Sequence, residues 1–144
     1  MAYRKAKHHG MPRHLLKSYN EVLGVSTDDW RWHESLVLEL PNKTRCKFIH
    51  SVGANVLSAS QQFGMSIVQG HHHVKFELGY WTAGNGLYFA ITSGCLIDDK
   101  SLAFAYNKLQ VKRPILGVTF IENSMPHLIP MALDENNRWT GTRI

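Results

Sequence analysis

The run Met65-Ser66-Ile67-Val68-Gln69 stops at Gly70 and is followed at once by His71, His72 and His73. A short apolar run bounded by glycine predicts a buried strand, and the glycine lets the backbone turn and pass close to a bound group. Alternate residues of an extended chain face the same side, so His71 and His73 are expected to converge while His72 points away. Neutral imidazole is the commonest side-chain ligand for manganese, iron or zinc, and such ions activate water. Solvated loops and purification tags also carry histidine clusters, but this one interrupts a hydrophobic region.

What precedes the run adds a second constraint. Arg45-Cys46-Lys47-Phe48-Ile49 reads as a strand ending at His50, and Ser51-Val52-Gly53-Ala54 as a small-residue turn. Asn55 to Phe63 has a helical apolar face stopped by Gly64. The result is a strand, helix, strand unit with a histidine at the carboxyl end of both strands, where ligands collect in sheets joined by such crossovers. His50, His71 and His73 are therefore expected to lie close together, although a lone His50 also fits a hydrogen-bonded edge position.

The flanking chain supplies the other elements. Pro12 suits the first position of a helix carrying Leu15, Leu16, Tyr19 and Leu23, with Gly24 ending it and Ser26 to Asp29 forming a turn. Leu36, Leu38 and Leu40 mark a strand closed by Pro41-Asn42-Lys43. Val74, Phe76, Leu78 and Tyr80 alternate with polar residues as in a strand with one buried face, and Asn85-Gly86 signals a hairpin returning through Leu87 to Thr92. Asp99 to Lys108 predicts a short helix capped by Asp98 and Asp99, and Ile115 to Ile121 a strand turning at Asn123-Ser124. Leu128 to Leu133 is expected as the last strand, pushed to the sheet edge by Pro130, before a solvated polar tail from Asp134 to Asn137.

With 144 residues, 44% of them hydrophobic, the chain can bury a core as one domain, 1–144. No apolar segment approaches the ~20 residues that span a bilayer, and the basic start Met1 to Lys7 lacks a signal-peptide core, so the expectation is a soluble cytoplasmic protein without a membrane partner. Cys46 and Cys95 stand at neither zinc-finger nor redox spacing and read as buried thiols. A net charge of +5 favours an anionic partner without identifying it, and among phosphoesters it tilts toward nucleotides or nucleic acid.

A histidine ending one strand, then Gly70-His71-His72-His73 ending the next, then a hairpin and the small turn Ser93-Gly94, resembles the C-terminal half of the calcineurin-like metallophosphoesterases. The ordered motifs of that family are Asp-x-His, Gly-Asp-x-x-Asp, Gly-Asn-His-Asp/Glu, an isolated His, and Gly-His-x-His. His50 matches the isolated histidine, and residues 70–73 match the last motif. The resemblance implies an α/β fold, a mixed sheet with flanking helices forming part of a two-sheet sandwich. It also implies a metal site in which His50 and His71 bind one ion and His73 the other, acting on a phosphoester.

The first three motifs do not occur in this chain. The resemblance would place them before Met1, on a second chain or an upstream segment. Two ions ~3.5–4 Å apart need carboxylates to offset their mutual repulsion, and neutral imidazoles do not supply that charge. Three readings follow: a metal-dependent phosphoesterase completed by another polypeptide, a non-catalytic metal- or nucleic-acid-binding module, or a truncated inactive remnant that pairs as a homo-oligomer through an exposed sheet edge.

Overall fold

The computed structural model describes residues 8–96, 114–136 and 138–143. The expected helix Asp99 to Lys108, its capping residues Asp98 and Asp99, and the basic start Met1 to Lys7 lie outside the described residues. The chain divides into two compact units, Met1–His33 and Glu34–Ile144.

In the first unit the continuous helix expected from Pro12 to Leu23 is broken in two. A single 3-10 turn covers Arg13–Leu15, and helix α1 covers Tyr19–Leu23. Ser18 causes the restart: its hydroxyl accepts from the Glu21 N–H at 3.2 Å, while the Glu21 carboxylate accepts from the Ser18 N–H at 2.6 Å. Those bonds hold the Glu21 carboxyl below its ordinary pKa. Gly24 closes the helix in the left-handed conformation, as its sequence position predicts. Buried Asn20 donates to the Ser26 and Trp30 carbonyls at 2.9 and 3.3 Å and accepts from the Trp32 indole N–H. One amide thus organises the turn that follows the helix.

The second unit is α/β. Strands β1 (Ser35–Glu39), β2 (Arg45–Ile49), β3 (Ser66–Gln69), β4 (Phe76–Ala83) and β5 (Gly86–Ser93) form a mixed sheet in the order β1-β2-β3-β5-β4. β2, β3 and β5 are mutually parallel, and the two outer strands run antiparallel to their neighbours. Helix α2 (Val56–Phe63) makes the crossover between β2 and β3, capped by the Asn55 side chain at 2.9 Å from the Ser58 N–H and by left-handed Gly64. It lays Val56 against Ile67 and Ala90. Gly79 on β4 leaves room for Leu57: a Cβ there would lie 3.3 Å from its methyl. α2 therefore covers the face of β4 that alternation predicts to be polar.

On the opposite face Leu40, Cys46, Phe89 and Ile91 pack with Ile121 and Leu128 of a second sheet, β6 (Gly117–Glu122), β7 (Met125–Leu133) and β8 (Trp139–Arg143). Cys46 is fully buried, and burial pushes its thiol pKa up to about 12. The Asn123-Ser124 turn expected from the sequence joins β6 to β7, with both residues at positive φ.

Two expectations for this sheet are corrected. Leu128 to Leu133 is not the last strand: the polar stretch after it, exposed as expected, is a turn in which the Asp134 carboxylate accepts from the Asn136 and Arg138 N–H groups, both at 2.8 Å, and β8 follows it. β7 is consequently the middle strand, not the edge strand that Pro130 suggests. Counted from the two-residue turn, Pro126 and Pro130 fall at non-hydrogen-bonded pairs with β6, opposite Ile121 and Gly117. Their nitrogens face the β8 side, where pairing begins only at Met131. Neither proline removes a ladder bond.

Candidate functional site

The parallel pairing of β2 and β3 sets Ile49 beside Gln69, so both strands deliver their next residues at one end of the sheet. His50 follows Ile49 directly, and His71 follows Gln69 after Gly70. The two rings meet edge to face with centroids 4.8 Å apart, and His50 Nε2 lies 3.0 Å from His71 Nδ1. In the metal-free protein that distance is a hydrogen bond in which one ring donates and the other accepts.

The expected alternation of His71 and His73 does not hold, because the chain has stopped being a strand. β3 ends at Gln69, and residues 70–75 form consecutive tight turns: His72 N donates to Gly70 O at 2.8 Å, His73 N to His71 O at 3.0 Å, and Lys75 N to His72 O at 2.9 Å. The left-handed residue here is His71, at φ 66°, rather than Gly70. Gly70 instead passes close to the preceding strand end, where an added Cβ would sit 3.8 Å from the His50 carbonyl. His72 therefore lies beside His71, with ring centroids 5.1 Å apart, and its Nε2–H donates to the Gly53 carbonyl at 2.9 Å. His73 is held differently, its carbonyl accepting from the Ile115 N–H at 2.8 Å.

Partial burial, followed by the charges of His50, His72 and His73, keeps the His71 pKa below the ordinary 6.5. A ring that stays neutral near pH 7 keeps a lone pair for a metal or a hydrogen-bond donor. Two nitrogens each about 2.1 Å from one ion stand about 3.0–3.4 Å apart, so His50 and His71 have the separation of adjacent ligands. The described residues hold no group of three or more His, Cys, Asp or Glu arranged to bind an ion. The imidazole pair suits two coordination positions and leaves the others to be supplied.

Around this pair lies a polar frame that hydropathy patterning passes over. Gln69, fully buried, bonds to Val52, Gly53 and Thr92; Thr92 Oγ1 donates to Glu77 Oε1 at 3.4 Å; and Lys75 Nζ donates to the Ala54 carbonyl at 2.7 Å. The available signal was a glutamine closing an otherwise buried strand, on the face that carries Ile67.

Family models, characterised proteins and solved structures were compared with this chain, and none of them matches. Among the described residues no helix is long and apolar enough to cross a membrane.

Proposed function

We propose that the His50–His71 corner is the imidazole half of a divalent transition-metal site that serves phosphoester hydrolysis. The observation that carries this reading is the 3.0 Å approach of His50 Nε2 to His71 Nδ1 at the carboxyl ends of two adjacent parallel strands. The resemblance of residues 50 and 70–73 to the metallophosphoesterase motifs supports the choice of reaction. A bound manganese, iron or zinc ion would supply a polarised water at neutral pH. This chain's part is to hold two neutral nitrogens in place. Carboxylates from a further polypeptide segment would complete the coordination. The net charge of +5 favours a nucleotide or nucleic acid as the phosphoester.

Titration with manganese and zinc, followed by hydrolysis of bis-p-nitrophenyl phosphate with and without a polypeptide supplying the missing motifs, tests the reading. His50→Ala and His71→Ala are each expected to weaken metal binding by roughly tenfold or more, while His72→Ala leaves it within about twofold. Equal losses in all three, or no binding by the wild type, would refute it.

A second reading is favoured by the pair's own hydrogen bond and by the absence of a group of three or more ligands among the described residues: a structural clasp between two strand ends. In that case His71→Ala lowers stability by about 1 kcal/mol whether or not metal is present.

A further inference from the structure

Gln69 is the last residue of β3 and has no exposed surface. A primary amide buried this completely is costly unless its polar atoms are bonded, and an interior strand position ordinarily carries Val, Ile or Leu. Here the amide is used almost fully. Oε1 accepts from the Val52 N–H at 3.0 Å, while Nε2 donates to the Gly53 carbonyl and to Thr92 Oγ1, each at 3.2 Å. The partners are not scattered. Val52 and Gly53 follow His50 by two and three residues, and Gln69 precedes His71 by two.

One buried side chain therefore joins the segment leaving His50 to the segment arriving at His71. Two more side chains from the same turn grip the same place: His72 Nε2 donates to Gly53 O at 2.9 Å and Lys75 Nζ to Ala54 O at 2.7 Å. Local backbone preference does not fix these segments, since Gly53 sits at φ 116° and His71 at φ 66°. Of the three grips, only Gln69 is shielded from water, which makes it the most rigid.

We propose that Gln69 is a positioning residue whose amide sets the spacing of His50 and His71, and so tunes the affinity of the metal site; the affinity part rests on the metal reading above. An apolar residue of the same shape would fill the space but would release the 51–53 turn, letting His50 drift relative to His71. Groups that orient ligands commonly change metal affinity by roughly 10–100-fold when removed.

The test compares Gln69→Met with Ile67→Ala, a core truncation in the same strand that leaves the amide network intact. Gln69→Glu, which keeps an acceptor toward Val52 but replaces the amide's two N–H donors with at most one O–H, stands in should the methionine variant not fold. Two quantities are read: the dissociation constant for manganese and zinc by calorimetry, and the ring-proton NOE between His50 and His71 in the metal-free protein. We expect the NOE to vanish and the affinity to drop at least about tenfold in the Gln69 variant, with the NOE retained and the affinity within about twofold in Ile67→Ala. An unchanged NOE in the Gln69 variant, or an equal affinity loss in Ile67→Ala, overturns the proposal. Should the wild type bind no metal, the metal reading fails, while the NOE still decides whether Gln69 sets the ring spacing.

Discussion

Two margins of the main sheet, the carboxyl ends of β2 and β3 and the lateral edge formed by β1, handle their polar groups in opposite ways. At the histidine corner, polar groups leave the strands and are bonded at once: the 51–54 and 70–75 segments are cross-braced by Gln69, His72 and Lys75. At the β1 edge the surface is apolar instead. Leu36, Val37 and Leu38 are 40%, 44% and 45% exposed, and neither lysine, proline nor bulge protects the strand. A cleft of about 320 Å³ opens beside it between the two sheets, lined by Leu38, Leu40, Phe48, Val68, Thr119 and Phe120 among others. Within it Thr119 Oγ1 is buried without a hydrogen-bond partner. A corner that fixes two rings has to be internally satisfied, whereas an edge can leave its hydrogen-bonding groups to water.

The strongest way to break the contrast is to soften the core from which the corner hangs. Ile67 is fully buried between α2 and the sheet, and Ile67→Ala is expected to lose about 2–5 kcal/mol of unfolding free energy in urea titrations. A loss below about 1 kcal/mol would mean that α2 does not pack there as described. The corner's geometry should survive as long as the protein stays folded, because the polar frame uses different atoms.

A finer probe uses the edge itself. The Leu40 N–H donates to the Thr44 carbonyl, so Leu36 and Leu38 point their backbone groups toward β2, while Ser35, Val37 and Glu39 point theirs outward. Proline at an outward position removes no ladder bond, and proline at an inward position does. Val37→Pro is expected to change stability by less than about 1 kcal/mol and Leu38→Pro to cost about 2–3 kcal/mol, read from urea midpoints. Equal costs would show that something pairs with the outer edge of β1.

Much of this arrangement is legible in the sequence, and the exceptions have physical causes. The β2-α2-β3 unit follows from apolar runs punctuated by Asn55, Gly64 and Gly70, because capping and periodicity agree there. The β4–β5 hairpin is also legible, but its tip is Gly84-Asn85 rather than Asn85-Gly86: Gly86 begins β5, where an added Cβ would lie 2.8 Å from the Tyr88 ring. β8 is hidden because Trp139-Thr140-Gly141-Thr142-Arg143 has no apolar alternation and depends on the Asp134 turn to return it to β7. At the site, strand spacing suggested His50 with His71 and His73; the approach of His50 to His71 followed from parallel register. The turn at residues 70–75 was not legible, because it rests on His71 in a left-handed conformation and on long-range bonds to residues 53 and 54. No local pattern encodes those partners.

The smallest expected effect separates the two regions by pH. Burial and neighbouring imidazoles lower the His71 pKa in the folded protein below 6.5, whereas Leu36, Val37 and Leu38 carry no ionisable group. A base with a lower pKa when folded binds protons more readily when unfolded. Its contribution to stability is therefore fully present above about pH 6.5 and is lost as pH falls from there through the lowered folded value. Urea midpoints measured from pH 7.5 to pH 5 should decline in the wild type and decline less steeply in His71→Asn, while Leu36→Ser keeps the wild-type slope. If His71→Asn also keeps that slope, the lowered pKa is not there, and the packing of the His50, His71 and His72 rings would have to be looser than their contacts describe. If the proposed metal site exists, the ion competes with protons for the same neutral ring, so adding zinc or manganese should steepen the wild-type decline and leave the His71→Asn curve in place.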